Sequence, residues 1–196
     1  MTSDARTQLF VIRHGETEWS LSGRHTSHTD LALTPHGEDQ ARLSGAYLRT
    51  FHVDRVLTSP RQRAQRTAEL AELGVPVTVD PDLAEWDYGD YEGRTSKDIE
   101  VERPGWLLFR DGCPGGETAQ QMSDRADRLI AGLRETAGNV AVFSHGHFGC
   151  VLGARWIGLP ILEAQHLALS PASLSVLGYA SSHRDVPVIT QWNRAP

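Results

Sequence analysis

Four apolar residues, Leu9-Phe10-Val11-Ile12, run without a polar break and stop at Arg13-His14-Gly15. That pattern predicts a short strand buried on both faces, with polar chemistry delivered where the strand ends. Thr34-Pro35 supplies a helix N-cap with proline at the first helical position, and Ala41, Ala46, Tyr47 and Leu48 give an apolar face up to about Thr50. Val53 to Thr58 predicts a second strand. Ser59-Pro60 then offers a second cap-and-proline start, for a helix through about Leu73 with backbone N–H groups open to an anion. Val75 to Val79 reads as a third strand, and Ala126, Leu129, Ile130 and Leu133 recur at helical spacing within Asp124 to Thr136. Asn139 to Ser144 is the clearest strand of the chain. It too ends in a polar cluster, Ser144-His145-Gly146-His147, ahead of a helix to about Gly158. Leu174 to Tyr179 and Val186 to Trp192 close the pattern as strands suited to antiparallel pairing.

Strands alternating with helices predict an α/β fold, a three-layer α/β/α sandwich on a mainly parallel central sheet, with ligands outside the carboxyl ends of the strands. No repeat, low-complexity tract or long linker interrupts the 196 residues, so 1–196 is read as one domain. A net charge of −6 lacks the basic excess that a nucleic-acid or membrane-surface protein carries, so any anion site is local. Lys97 is the lone lysine among the 19 basic residues; the rest are arginines, whose forked donors suit phosphate. The two cysteines, Cys113 and Cys150, lie far apart and argue against a disulfide framework. With no signal-like or membrane-spanning run from Met1 to Ile12, the expected compartment is the cytoplasm.

The chemistry gathers where strands end. In Arg13-His14-Gly15-Glu16-Thr17 an imidazole stands beside a guanidinium, and glycine lets the backbone come close to a ligand. A neutral imidazole nitrogen is a competent nucleophile toward phosphorus, and an adjacent arginine offsets phosphoryl charge. Ser59-Pro60-Arg61-Gln62-Arg63 and Ser144-His145-Gly146-His147 add a second guanidinium and a second imidazole. Glu85-Trp86-Asp87-Tyr88-Gly89-Asp90-Tyr91-Glu92 sets carboxylates among aromatics, a setting that suits a proton donor.

Arg13-His14-Gly15-Glu16-Thr17, Leu33-Thr34-Pro35-His36-Gly37, Ser59-Pro60-x-x-Arg63-Ala64 and Ser144-His145-Gly146 occur in an order that resembles the histidine phosphatase superfamily, also called phosphoglycerate mutase-like, over nearly the whole chain. The resemblance implies that His14 is the phosphorylated nucleophile, that Arg13, Arg63 and His145 form the phosphate pocket, and that Glu85 is the proton donor. The expected substrate contacts are Arg13, Ser20, Arg24, His25, Ser59, Arg63, Tyr88, His145, Gly146 and His147. Thr17 to Ser20, Trp86 to Gly93 and Asp111 to Thr118 resemble the branch that holds sedoheptulose-1,7-bisphosphatase and related acid phosphatases. Two positions depart from the pattern: Ser20 stands where asparagine is common, and Cys150 where sugar bisphosphatases and mutases carry an arginine for the far end of the substrate.

The expected activity is therefore metal-independent hydrolysis of small phosphomonoesters, sugar phosphates or bisphosphates, through a phosphohistidine. The partner is a small phosphorylated metabolite, with no cofactor, nucleic acid or membrane, and a homodimer stays open. A mutase-type phosphoryl transfer uses the same pocket, but the short span from Arg94 to Gly116 favours a phosphatase. A non-enzymatic binding module would normally lack the nucleophile. His25 with His28, or His145 with His147, would suit a metal only with further ligands at matching spacing.

Overall fold

The structure, a computed structural model, describes residues 8–183 and 185–196. Six strands form one sheet: β1 (Leu9–Arg13), β2 (Arg55–Thr58), β3 (Val77–Val79), β4 (Val140–Ser144), β5 (Leu174–Tyr179) and β6 (Pro187–Arg194), in the spatial order β3-β2-β4-β1-β5-β6. The helices are α1 (Glu18–Ser22), α2 (Pro35–Leu48), α3 (Gln62–Ala71), α4 (Ser96–Glu102), α5 (Leu108–Asp111), α6 (Ala119–Arg134) and α7 (Gly146–Trp156). The first four strands in spatial order pair in parallel, as expected for helical crossovers, whereas β5 and β6 run antiparallel.

Alternation along β1 explains the three layers. Leu9 and Val11 join a core with Met122, Ala126, Leu129, Ile130 and Leu133 of α6 and Phe148, Val151 and Leu152 of α7. Phe10 and Ile12 point the other way, into a core with Leu48 of α2 and Ala68 and Ala71 of α3. An unbroken apolar run is therefore required here, because neither face of β1 meets water.

Several boundaries differ from the expected ones, each for a visible reason. The helix placed at Ser59-Pro60 begins at Gln62, with Arg61 as an N-cap that makes no side-chain cap bond. The Gln62 amide instead donates to the Asp30 carboxylate at 2.9 Å, so an anion from a distant loop already occupies the helix start that the sequence left open. Ser59 is held elsewhere, by His145. The helix read from Asp124 begins five residues earlier, where Thr118 and Gln121 form a reciprocal capping box. The strands read from Val53 and Val75 start at Arg55 and Val77. The short helix α1, capped by Thr17, carried no apolar period to betray it.

Candidate active site

Strand register does the first positioning. Arg13 of β1 pairs with Ser144 of β4, and Thr58 of β2 pairs with Phe143, so His14, His145 and Ser59 follow at the carboxyl ends of three adjacent parallel strands. The His14 amide continues the ladder to the Ser144 carbonyl (2.9 Å), and the Ser59 amide to the Phe143 carbonyl (2.9 Å). Gly15 then turns the chain under α2. A Cβ on Gly15 would stand 2.3 Å from the Gly37 carbonyl oxygen, and one on Gly37 would stand 2.2 Å from that of Glu16. The glycine after the histidine is thus explained by backbone packed on backbone, not by the approach of a ligand.

His14 and His145 are buried, with ring centroids 5.2 Å apart in an edge arrangement. Nδ1 of His14 lies 2.7 Å from the Gly15 carbonyl oxygen, which only accepts, so the ring hydrogen sits on Nδ1 and Nε2 keeps its lone pair. Burial, then the Arg63 and Arg13 charges, hold this imidazole well below its ordinary pKa and therefore neutral. His145 is held down for the same leading reason, burial, reinforced by Arg63 and His14. Its Nε2 lies 2.7 Å from Ser59 Oγ, which accepts the Arg61 N–H at 3.3 Å.

Both arginines are held through their terminal nitrogens, and each keeps an unpaired Nε. Arg13 donates through a terminal nitrogen to the Leu169 carbonyl. Arg63 donates to the carbonyls of Thr29 (3.1 Å), Thr26 (3.0 Å) and Ser27 (3.3 Å), and Glu92 holds that loop by accepting from the amides of Ser27 and Thr29. Arg13 Nε, Arg61 Nε, Arg63 Nε and His145 Nδ1 are buried without a hydrogen-bond partner in the protein. Burial lowers the pKa of both Arg13 and Arg63, and Glu85 is the leading charge acting against it on each.

Glu85 sits on the start of α7. Its carboxylate accepts from the amides of Phe148 (2.8 Å), His147 (3.1 Å) and Trp86 (2.9 Å). Its immediate hydrogen bonds thus come from backbone amides, two of them in the first turn of α7, and not from the neighbouring rings. Beside it, Tyr88 Oη and His147 Nδ1 are 2.6 Å apart, and the His25 ring lies 4.6 Å from that of Tyr88. His25 is pushed down to about 4 by burial and then by His147, and His147 to about 4 by burial and then by Arg13.

A cleft of about 370 Å³ opens over this floor, lined among others by Arg13, His14, Ser20, Arg24, His25, Glu85, Tyr88, Gly146 and His147. Arg63, Ser59 and His145 lie outside that lining, each fully buried. Ser20 reaches the cleft, yet its hydroxyl donates to the Thr17 carbonyl and accepts the Thr17 amide in the cap of α1. Sequence reasoning missed the wall formed by Leu167, Ala168 and Leu169. Its three carbonyls are tied by Cys150 Sγ (2.9 Å), Trp192 Nε1 (2.8 Å) and Arg13. No motif marks this segment, because its contribution is backbone. Trp19 and Ser96 also line the cleft, and Arg24 lies 5.8 Å over the Trp19 ring. Among the described residues no three His, Cys, Asp or Glu side chains are grouped to hold a metal ion, and no helix is long and apolar enough to cross a membrane.

Two buried imidazoles, both within the electrostatic reach of Arg13 and Arg63, stand at the carboxyl ends of neighbouring parallel strands of an α/β sheet. The profile of the histidine phosphatase superfamily (branch 1) matches residues 9–194, and the chain belongs to that superfamily, the phosphoglycerate mutase-like phosphatases. It is 42% identical over 186 residues to an acid phosphatase of Mycobacterium tuberculosis, covering 93% of this chain and 91% of that protein. It is 39% identical over 187 residues to sedoheptulose 1,7-bisphosphatase of Saccharomyces cerevisiae, covering 79% and 69%. A solved structure of an open reading frame product from Mycobacterium tuberculosis superposes with a TM-score of 0.90 at 40% identity, covering 96% of this chain and 98% of that one.

Proposed function

We propose that this protein hydrolyses small phosphomonoesters, sugar phosphates or bisphosphates, through a phosphohistidine on His14 and without a metal ion. The observation that carries the reading is the Nδ1 contact of His14 with the Gly15 carbonyl, which leaves a neutral Nε2 lone pair at the floor of the cleft. Nε2 attacks phosphorus, and the bond from phosphorus to the ester oxygen breaks. Glu85 gives its proton to the leaving alkoxide. In the second step water attacks phosphorus, its proton passes to the Glu85 carboxylate, and the bond from phosphorus to Nε2 breaks to restore His14 and release phosphate. The donors assigned to the phosphoryl oxygens are the unpaired Nε–H of Arg13, which lines the cleft, and the unpaired Arg63 Nε–H and His145 Nδ1, which are buried outside its lining.

Cleft size and the uncharged polar groups on its wall support a polyol leaving group. His25, His147 and Tyr88 offer uncharged hydrogen-bonding edges, and Cys150, buried and donating to Leu167, brings no charge to the far wall. The sugar-phosphate reading also follows the likeness to the yeast bisphosphatase. The test is rapid-quench trapping with a ³²P-labelled sugar phosphate in the presence of chelator, while phosphate release and isomer interconversion are followed together. Acid-labile label on His14 and release of phosphate are expected. Turnover without label, or isomer formation without phosphate, overturns the reading.

A further inference from the structure

Arg125 of α6 lies outside the cleft, yet both terminal nitrogens of its guanidinium reach the segment that carries Glu85. One terminal nitrogen donates to the carbonyls of Asp82 (2.9 Å) and Ala84 (2.7 Å), and the other reaches the carbonyl of Glu85 itself (3.4 Å). Glu117 grips the same guanidinium in a two-pronged pair, Nε to Oε1 at 2.9 Å and a terminal nitrogen to Oε2 at 2.8 Å. Arg125 is 8% exposed, so its charge is hardly shared with water.

Glu117 continues the clamp past Glu85. Its Oε2 accepts the Asp87 amide (3.0 Å), its backbone carbonyl accepts the Trp86 indole N–H (3.0 Å), and its amide donates to the Asp87 carbonyl (2.9 Å). The Arg125 guanidinium also lies 4.6 Å over the ring of Phe148, the residue whose amide holds Glu85 Oε1. One ion pair thus fixes the backbone before Glu85, the backbone after it, and the helix end on which its carboxylate rests.

A buried ion pair gives little net stability, since desolvation offsets most of its Coulomb energy. Its effect here is geometric. Proton transfer in the transition state requires the carboxyl within hydrogen-bond reach of the leaving oxygen, and a displacement of about 1 Å costs on the order of a hundredfold in rate. We infer that Arg125, locked by Glu117, is a positioning residue that sets the reach of Glu85 to the leaving oxygen. The inference rests on the proposed role of Glu85 as proton donor.

The experiment measures kcat/KM for Arg125→Lys, Glu117→Gln and Glu85→Gln on an alkyl phosphate and on 4-nitrophenyl phosphate, whose leaving group needs no proton. Lysine keeps the charge without the fork, and glutamine keeps an acceptor for the Asp87 amide while weakening the grip on Arg125. Circular dichroism and thermal melting identify the variants that are folded, and Glu117→Gln carries the test if Arg125→Lys does not fold. Each folded variant is expected to lose at least about tenfold more on the alkyl than on the aryl ester, with little further loss when added to Glu85→Gln. Equal losses on both esters by folded Arg125→Lys and Glu117→Gln, beside a leaving-group-dependent Glu85→Gln, overturn the positioning role alone. A Glu85→Gln variant that loses equally on both esters removes the proton-donor assignment and this inference with it.

Discussion

The imidazoles of His14 and His145 meet edge to face, 5.2 Å between centroids, at the ends of neighbouring parallel strands. That contact keeps two titratable rings in one buried space, where a proton on either would face Arg63, Arg13 and the other ring. Both rings therefore stay neutral, and nucleophilicity at His14 comes from the tautomer that the Gly15 carbonyl selects.

Replacing His14 by alanine is expected to lower turnover by at least about three orders of magnitude, since nucleophilic participation is the route to product. The fold should persist, because the ring makes one local hydrogen bond. Steady-state phosphate release, with circular dichroism on the same sample, checks this; near-normal turnover sinks the mechanism.

Stability should fall as pH drops from about 6.5 to about 4. His25 and His147 are held at about 4, and His14 and His145 lie well below their ordinary value. Above about 6.5 neither folded nor unfolded chain binds these protons, so no cost arises. Below that pH the unfolded chain takes them up first and gains stability relative to the fold, by about 3 kcal/mol for each ring held near 4. Urea midpoints measured from pH 7.5 to pH 4.5 should decline, less steeply in His25→Asn. A flat profile in the parent protein contradicts the assignment.

Gly15→Ala should destabilise the protein by about 1–3 kcal/mol or more, as overpacking does, because the new Cβ would lie 2.3 Å from the Gly37 carbonyl oxygen. Chemical denaturation reads this directly. Unchanged stability would mean that α2 can shift away from β1 without cost.

Discrimination between a bisphosphate and the matching monophosphate is expected to be modest. Cys150 donates to Leu167 rather than presenting a cation, and Arg24 is the exposed guanidinium at the rim of the cleft. A charged hydrogen bond contributes roughly 1.5–3 kcal/mol, about ten- to a hundredfold in affinity. The comparison is kcat/KM for sedoheptulose 1,7-bisphosphate against a monophosphate in the parent protein, Arg24→Ala and Cys150→Arg. A ratio above about a thousandfold that Arg24→Ala leaves unchanged places the second anion contact elsewhere.

Local chemistry was readable from the chain itself. The apolar run Leu9–Ile12, the alternating elements and the polar clusters that follow Ile12, Thr58 and Ser144 depend only on residue type and spacing, so the layered fold and the grouping of His14, Ser59 and His145 at the carboxyl end of the sheet were legible. Tertiary structure decided whatever depends on partners distant in sequence. Asp30 took the start of α3 that Ser59-Pro60 had suggested for a cap. The register of β1 on β4 set the two rings face to edge, and three backbone carbonyls at 167–169 became a wall because Cys150, Trp192 and Arg13 converge on them. Arg125 and Glu117 show the same limit from the other side: nothing around Arg125 announces a role, and the motif that holds Glu117 does not name its partner. Their reach to residues 82–87 exists only once α6 lies against that segment, since a hydrogen bond is fixed by distance in space and a sequence records distance along the chain.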